Sequence, residues 1–221
     1  MRETIPPRFR KNDVLSLFPT FVWRSQLAED TYGPINRKLL ALLERLTEGF
    51  AAAPGAKLQT EQHLDRMPEM TELNQVVAQA VESILGFLKI DHSGFVTTGC
   101  WANIGTPGSP HKMHSHPNNF LSAVYYVTAP DGGNVISFHD PRPQRAVISP
   151  SPREMSAENA GKADLTVGQG DLVVFPSWLF HSVPPNTSEQ NRISIAFNFM
   201  FRQFEEVISP PGWKGRVKLD D

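Results

Sequence analysis

The hydrophobic pattern of this chain changes period at Gly94, and that change limits the possible folds more than any other feature. Before it the pattern is helical. From Pro34 onward Ile35, Leu39, Leu42, Leu43, Leu46 and Phe50 fall on one stripe. After Met67-Pro68, the residues Leu73, Val76, Val77, Ala80, Val81, Ile84, Leu85 and Leu88 keep the i, i+3, i+4 spacing for more than four turns. Beyond Gly94 the apolar runs become short and β-rich: Phe95 to Ile104, Phe120 to Val127, Asn134 to His139, Leu172 to Phe175 and Arg192 to Phe201. Turn clusters such as Gly105-Thr106-Pro107-Gly108, Asp131-Gly132-Gly133 and Gly168-Gln169-Gly170 separate them. Many short strands punctuated by Gly and Pro indicate a sandwich or barrel, with the helices covering one sheet. Val14 to Phe18 and Phe21 to Gln26 read as short extended pieces ahead of the helices.

A chain of 221 residues is the size of one ordinary domain. Residues 1–93 supply N-terminal strands and supporting helices, 94–202 the strand-rich core, and 203–221 a tail. The core is interrupted at 141–162 by a stretch rich in Pro, Ser, Arg, Glu, Asn and Ala. A connection of that length in a compact domain is usually functional or disordered. The formal net charge of -2 argues against nucleic acid as a partner, since phosphate binding needs clustered Lys and Arg. The longest apolar runs are too short to span a bilayer, and the N-terminus lacks the apolar segment of a signal peptide. The single Cys100 excludes an intramolecular disulfide and fits a reducing cytoplasm. Oligomeric state is open, a homodimer included.

Five of the seven histidines lie between positions 111 and 181. His114 and His116 open the run HSHPNNFLSAVYYV, and His181 closes GDLVVFPSWLFH. On a strand, residues two apart share a face and lie about 6.6 Å from each other, so the two rings can converge on one ion. A third histidine from a distant strand completes a facial triad with open positions, as in mononuclear non-haem iron sites. Eleven residues after His181, NRISIAFN places Arg192, Ser194, Ala196 and Asn198 on one strand face and Ile193, Ile195, Phe197, Phe199 and Phe201 on the other. The apolar face suits packing under the helices. The other alternates polar with small residues, as the lining of a cavity does. An arginine fork inside a barrel needs a carboxylate or phosphate partner. No acidic residue is evident on these strands, so a small dianionic ligand is the economical partner.

The order His-x-(Asp/Glu)…His…Arg-x-Ser following helices resembles the iron(II)- and 2-oxoglutarate-dependent oxygenases, built on a double-stranded β-helix. More narrowly, HSHPNNFLSAVYYV with FHDPR, GDLVVFPSWLFHSVPPN and NRISIAFN resembles a bacterial and phage subgroup with prolyl-hydroxylase-like features. The resemblance covers roughly Gly94 to Phe201, and LFPT at Leu17 to Thr20 also looks like that subgroup's start. It implies a mainly β fold with flanking helices: a jelly-roll or cupin-like double-stranded β-helix over Phe95 to Arg202, with helices at Pro34 to Phe50 and Met70 to Leu88 outside it. It implies Fe(II), 2-oxoglutarate and dioxygen as reactants, and hydroxylation of a small molecule or peptidyl residue. By position, His114 and His181 stand where the family's metal histidines stand. Arg192 and Ser194 would hold the distal carboxylate of 2-oxoglutarate, and Asn103 and Tyr126 would contact its other end.

The chain departs from the family where most members carry Asp or Glu two residues after the first histidine, because His116 stands there. Either His116 is the third ligand, or Asp140 in FHDPR supplies a carboxylate and His116 stands behind the ligands. A three-histidine site would be emptied below about pH 5 as imidazoles protonate. Two other classes compete: a cupin-like three-histidine dioxygenase or isomerase without 2-oxoglutarate, and a non-catalytic sensor of a small acid. Arg192 and Ser194 speak against the former, and the histidines against the latter. Trp101, Trp178 and the phenylalanines read as core, Asp171 as a turn residue, and His111 and His139 as incidental. Arg142, Arg145 and Arg153 read as solvated, or as part of a lid.

Overall fold

The computed structural model describes residues 11, 13–49, 53–143, 147, 148 and 150–204. Among the described residues the elements follow the order β1 (Trp23–Gln26), α1 (Glu29–Leu46), β2 (Lys57–Gln59), α2 (Thr71–Phe87), β3 (Phe95–Gly105), β4 (His111–His114), β5 (Leu121–Thr128), β6 (Val135–His139), β7 (Lys162–Thr166), β8 (Asp171–Pro176), β9 (His181–Val183) and β10 (Arg192–Phe201). Two single 3-10 turns, Leu64–Arg66 and Pro68–Met70, lead into α2. The strands form a six-stranded sheet in the order β1-β8-β5-β10-β3-β2 and a four-stranded sheet in the order β4-β9-β6-β7. All pairs are antiparallel. From β3 to β10 the chain changes sheet at every step except β6 to β7, which produces the two facing layers of a jelly roll.

The helices cover the outer face of the larger sheet. Leu39, Leu42 and Leu43 of α1 and Leu73, Val77, Val81, Ile84 and Leu85 of α2 share one buried cluster with Ile195, Phe197, Phe199 and Phe201 of β10. A polar pin fixes α1 in register on this sheet: the Tyr125 hydroxyl donates to Asn36 Oδ1 (2.7 Å), and Asn36 Nδ2 donates to the Val127 carbonyl (3.1 Å). The pin satisfies every polar atom it buries. The space between the two sheets holds a second, smaller apolar cluster of Tyr126, Ile136, Phe138, Val167, Val173, Phe175 and Leu179. Phe197 is 1% exposed at the centre of the helix-sheet layer. Phe197→Ala should therefore cost about 3–5 kcal/mol of stability, measurable as a lower urea midpoint at unchanged slope.

Some elements differ from expectation. The first helix begins at Glu29 rather than Pro34, because Glu29 and Asp30 favour the positive end of the helix. Pro34 falls in its second turn and forfeits one intrahelical bond. Val14 to Phe18 is exposed and not a strand, and the extended piece after it pairs only from Trp23. Strands β2, β4, β7 and β9 carry three to five residues each, too few to show a period. Arg145, Phe50 and most of the expected tail lie outside the described residues. No helix among the described residues is long and apolar enough to cross a membrane.

Candidate metal centre

Strand β10 lies between β3 and β5, and its register fixes four rows of residues on the inward face of the larger sheet. Residues directly opposite in antiparallel strands project to the same side. The first row is Gly105-Arg192, the second Asn103-Ser194-Tyr126, the third Trp101-Ala196-Val124 and the fourth Gly99-Asn198-Ser122. Arg192, Ser194, Ala196 and Asn198 are all buried, so the alternating face of the last strand does not meet water. The row Asn103-Ser194-Tyr126 brings together three side chains that lie far apart in sequence.

The histidines face these rows from the smaller sheet. His114 ends β4, His181 begins β9, and the two are direct cross-strand partners. His116 lies just beyond β4, where its backbone N–H donates to the Ser177 carbonyl (2.8 Å). Convergence with His114 therefore comes from the turn after β4 rather than from strand alternation. The three rings lie with centroids 4.3–5.2 Å apart, and one ligand atom from each falls within 4.8 Å of the others. Two of the rings are oriented by backbone carbonyls: His114 Nδ1 lies 2.8 Å from the Lys112 carbonyl and His181 Nδ1 lies 3.0 Å from that of Leu179. A neutral imidazole that donates from Nδ1 leaves Nε2 as its lone-pair ligand atom, the arrangement common in metal-bound histidine. His116 Nδ1 stands 3.5 Å from the Asn198 amide nitrogen, and Asn198 Oδ1 accepts from the Ser122 hydroxyl (2.7 Å).

Burial lowers the proton affinity of all three rings, and His116 falls to about 4 and His181 to about 3. The lone pairs are thus available well into the acid range. In each case the unfolded chain, with imidazoles near 6.5, binds more protons than the folded one. The stabilisation is complete above about pH 6.5 and is lost as pH falls toward 4. Metal-free protein should lose thermal stability through that window, whereas metal-loaded protein should keep its midpoint to lower pH. The release expected near pH 5 moves lower for the same reason.

Asp140 lies just after β6 and takes the Arg142 guanidinium as a fork, with Nε at 2.8 Å and Nη2 at 2.7 Å. It is not part of the three-histidine convergence. Arg142 is therefore paired rather than merely solvated.

At the far end of the cavity Arg192 Nη1 is buried without a hydrogen-bond partner among the described residues, and so is Asn103 Oδ1. Buried orphans of this kind call for a ligand. A carboxylate suits the Arg192 guanidinium, whereas Asn103 Oδ1 is an acceptor and is satisfied only by a donor. Gly105 makes room there: a Cβ would lie 2.8 Å from Ser109 Oγ and 3.2 Å from Arg192 Nη2. Burial lowers the proton affinity of Arg192 and raises that of the Tyr126 phenol, so Tyr126 stays a neutral donor.

Several readings need revision. His111 is not incidental: it stacks on His114 with ring centroids 4.2 Å apart, and Lys57 Nζ lies 2.8 Å from its Nε2. Lys57, which sequence reasoning missed, stands opposite Gly105 on β2 and feels the charge of Arg192. Asp171 is wholly buried and pairs with Arg24 (2.7 Å), while also accepting from the Gly168 N–H. Trp178 is 52% exposed, and Trp101 lines the site rather than the core. Gly99 and Gly105, two glycines inside a strand pattern, were a readable signal of close approach.

Residues 99–198 match the family model described as "Putative 2OG-Fe(II) oxygenase". That segment runs from β3 to β10 and carries the three histidines and Arg192, so this part of the chain is similar to the iron(II)- and 2-oxoglutarate-dependent oxygenases. No curated protein sequence matches the chain. Solved structures share its fold at low identity. A prolyl-4-hydroxylase from Pseudomonas putida is 18% identical, with 83% of this chain and 94% of that one covered and a TM-score of 0.56. HygX from Streptomyces hygroscopicus, solved with nickel and 2-oxoglutarate, is 12% identical over 83% of each chain, with a TM-score of 0.59. AviO1 from Streptomyces viridochromogenes is 16% identical over 83% of this chain and 90% of that one, with a TM-score of 0.58. The shared architecture is the double-stranded β-helix.

Proposed function

We propose that the chain binds Fe(II) through His114, His116 and His181, and 2-oxoglutarate through Arg192, Ser194, Asn103 and Tyr126. On this reading it hydroxylates an unidentified small molecule or peptidyl residue. The bound iron supplies the oxidising chemistry: dioxygen and 2-oxoglutarate are consumed, one oxygen atom enters a C–H bond, the other enters succinate, and CO2 leaves. The protein's own residues bind, orient and exclude water. Arg192 offers a fork to the distal carboxylate, in a buried region where a charge-assisted bond is strong because the local dielectric is low. Ser194 and Tyr126 offer hydroxyl donors, and Asn103 an amide, along one row of the sheet. The carbonyl-held rings of His114 and His181 keep their lone pairs aimed at a common point.

The observation that carries this reading is the buried Arg192 Nη1, without a hydrogen-bond partner among the described residues, at one end of the inward sheet face that the three histidines face. A metalloprotein without an acid cosubstrate has no use for that charge. HygX, solved with nickel and 2-oxoglutarate, has the same architecture and supports the assignment. Anaerobic titration with Fe(II) and then 2-oxoglutarate should produce a metal-to-ligand charge-transfer band in the visible region, and admission of oxygen should yield succinate. A chain that binds iron but gives neither band nor succinate would instead be a three-histidine metalloprotein of another class.

A further inference from the structure

The cavity is polarised along the strands that build it. On β3 the inward residues run Gly99, Trp101, Asn103, Gly105, and on β10 they run Asn198, Ala196, Ser194, Arg192 opposite them. The end at Gly105 holds two cations, Arg192 and Lys57, in mutual electrostatic contact. The end at Gly99 opens beside His116 into a separate pocket of about 500 Å³. Gln62, Thr98, Gly99, Trp101, Asn119 and Asn198 contribute to its wall, and among the described residues the lining holds no Asp, Glu, Lys or Arg.

Three details make this pocket a built site. Trp101 is 7% exposed, and its Nε1 has no hydrogen-bond partner among the described residues. A buried N–H in that state costs about 1–3 kcal/mol and calls for an acceptor. Gly99 keeps the space open: a Cβ there would meet the Trp101 ring at 3.2 Å and Gln62 Oε1 at 3.8 Å. Finally, the wall is pre-organised. Thr98 Oγ1 donates to Asn119 Oδ1, Asn119 Nδ2 donates to the Pro117 carbonyl (3.1 Å), and Ser122 Oγ donates to Asn198 Oδ1 (2.7 Å).

From this polarity we infer that the prime substrate, on the function proposed above, enters at the Gly99 end and presents uncharged hydrogen-bonding groups (hydroxyl, ether or amide) to Trp101 and the amide-lined wall. A carboxylate, phosphate or ammonium placed there would lose water with no opposite charge among the described lining side chains, and the charge of a metal held at His116 would already be balanced by the dianionic cosubstrate; burying such a group is far costlier than burying a neutral one. Among the described residues of these rows, the cations that match an anion stand at the Arg192 end, where the proposed cosubstrate would lie.

Ligand-observed saturation-transfer NMR on the zinc(II)- and 2-oxoglutarate-loaded protein tests this with equal sets of neutral polyols, neutral amides, carboxylates and amines. Neutral fragments should dominate binding. Gly99→Val, which fills the pocket, should weaken them at least about tenfold, or about 1.4 kcal/mol. Trp101→Phe keeps an aromatic face, though a smaller one, and removes the N–H, and should weaken them about three- to tenfold. Should Gly99→Val fail to fold, Trp101→Phe alone decides. The polyol and amide arms tell which neutral group is preferred. If the fragments sensitive to either substitution are mainly charged, or if neither substitution affects any fragment, the inference is overturned. The signal of 2-oxoglutarate itself reports on the parent reading. Its absence alongside neutral, substitution-sensitive fragments would sink the cosubstrate assignment and leave the pocket's preference standing.

Discussion

His181→Ala should leave a folded protein that no longer retains metal. His181 is 4% exposed, faces His114 across a strand pair, and packs edge-on against Phe175 with ring centroids 4.7 Å apart. Removing it takes away one of three convergent lone pairs and leaves two, one of them on a turn. Loss of an outer partner to a ligand already costs about 10–100-fold in metal affinity, so loss of the ligand should exceed about a hundredfold, and succinate formation should vanish with the metal. Dialysis followed by elemental analysis measures the first effect, and far-UV circular dichroism against metal-free wild type checks the fold. Full metal content in His181→Ala would show that the three rings are not the ligand set. Asp140→Asn should lose no metal, which separates the two ligand sets the sequence allows.

Arg192→Ala should move stability and ligand affinity in opposite directions. The loss of a bidentate, charge-assisted contact in a buried site is worth roughly 2–4 kcal/mol. That raises the apparent constant for 2-oxoglutarate by about one to three orders of magnitude at about 1.4 kcal/mol per tenfold. Without ligand, however, the wild type carries a buried guanidinium whose Nη1 has no partner among the described residues, and whose proton affinity is already lowered by burial. An uncompensated buried charge is destabilising, so the ligand-free variant should melt no lower than ligand-free wild type. Added 2-oxoglutarate should stabilise the wild type by about 2.7 kcal/mol at a hundred times its dissociation constant, and the variant far less. Metal content should be unchanged, since Arg192 is not among the convergent ligands. Differential scanning fluorimetry with and without 2-oxoglutarate reads both effects. Unaltered affinity in Arg192→Ala would remove the main support for the cosubstrate assignment.

The longer the element, the more of it was legible in the sequence. The two helices and strands β3, β5, β8 and β10 carry enough residues for their period to show, and they anchor the fold; β1 and β6 are short but fall inside extended runs that the sequence marks. Strands β2, β4, β7 and β9 carry no such signal, yet β4 and β9 hold His114 and His181. The histidines were visible by their clustering, but the reason His116 joins them was not. It lies beyond β4, and its position depends on a backbone bond to Ser177, a residue that is distant in sequence. Asp171 read as a turn residue because it follows Gly170. Its burial against Arg24 of β1 arises from a strand pairing that local sequence does not encode.

Local periodicity and residue chemistry thus determined the class of fold, the metal-binding residue types and the face of β10 that turns inward. Those properties depend on side-chain alternation and on ligand identity, both of which are local. Register decided the rest. It aligned Asn103, Ser194 and Tyr126 in one row, and it placed the Arg192 cation opposite Gly105 and the neutral Asn198 opposite Gly99. A shift of one residue between β3 and β10 would turn every one of those side chains against the wrong neighbour. Only the packing of whole sheets and helices, summed over many apolar contacts far from the site, fixes that register.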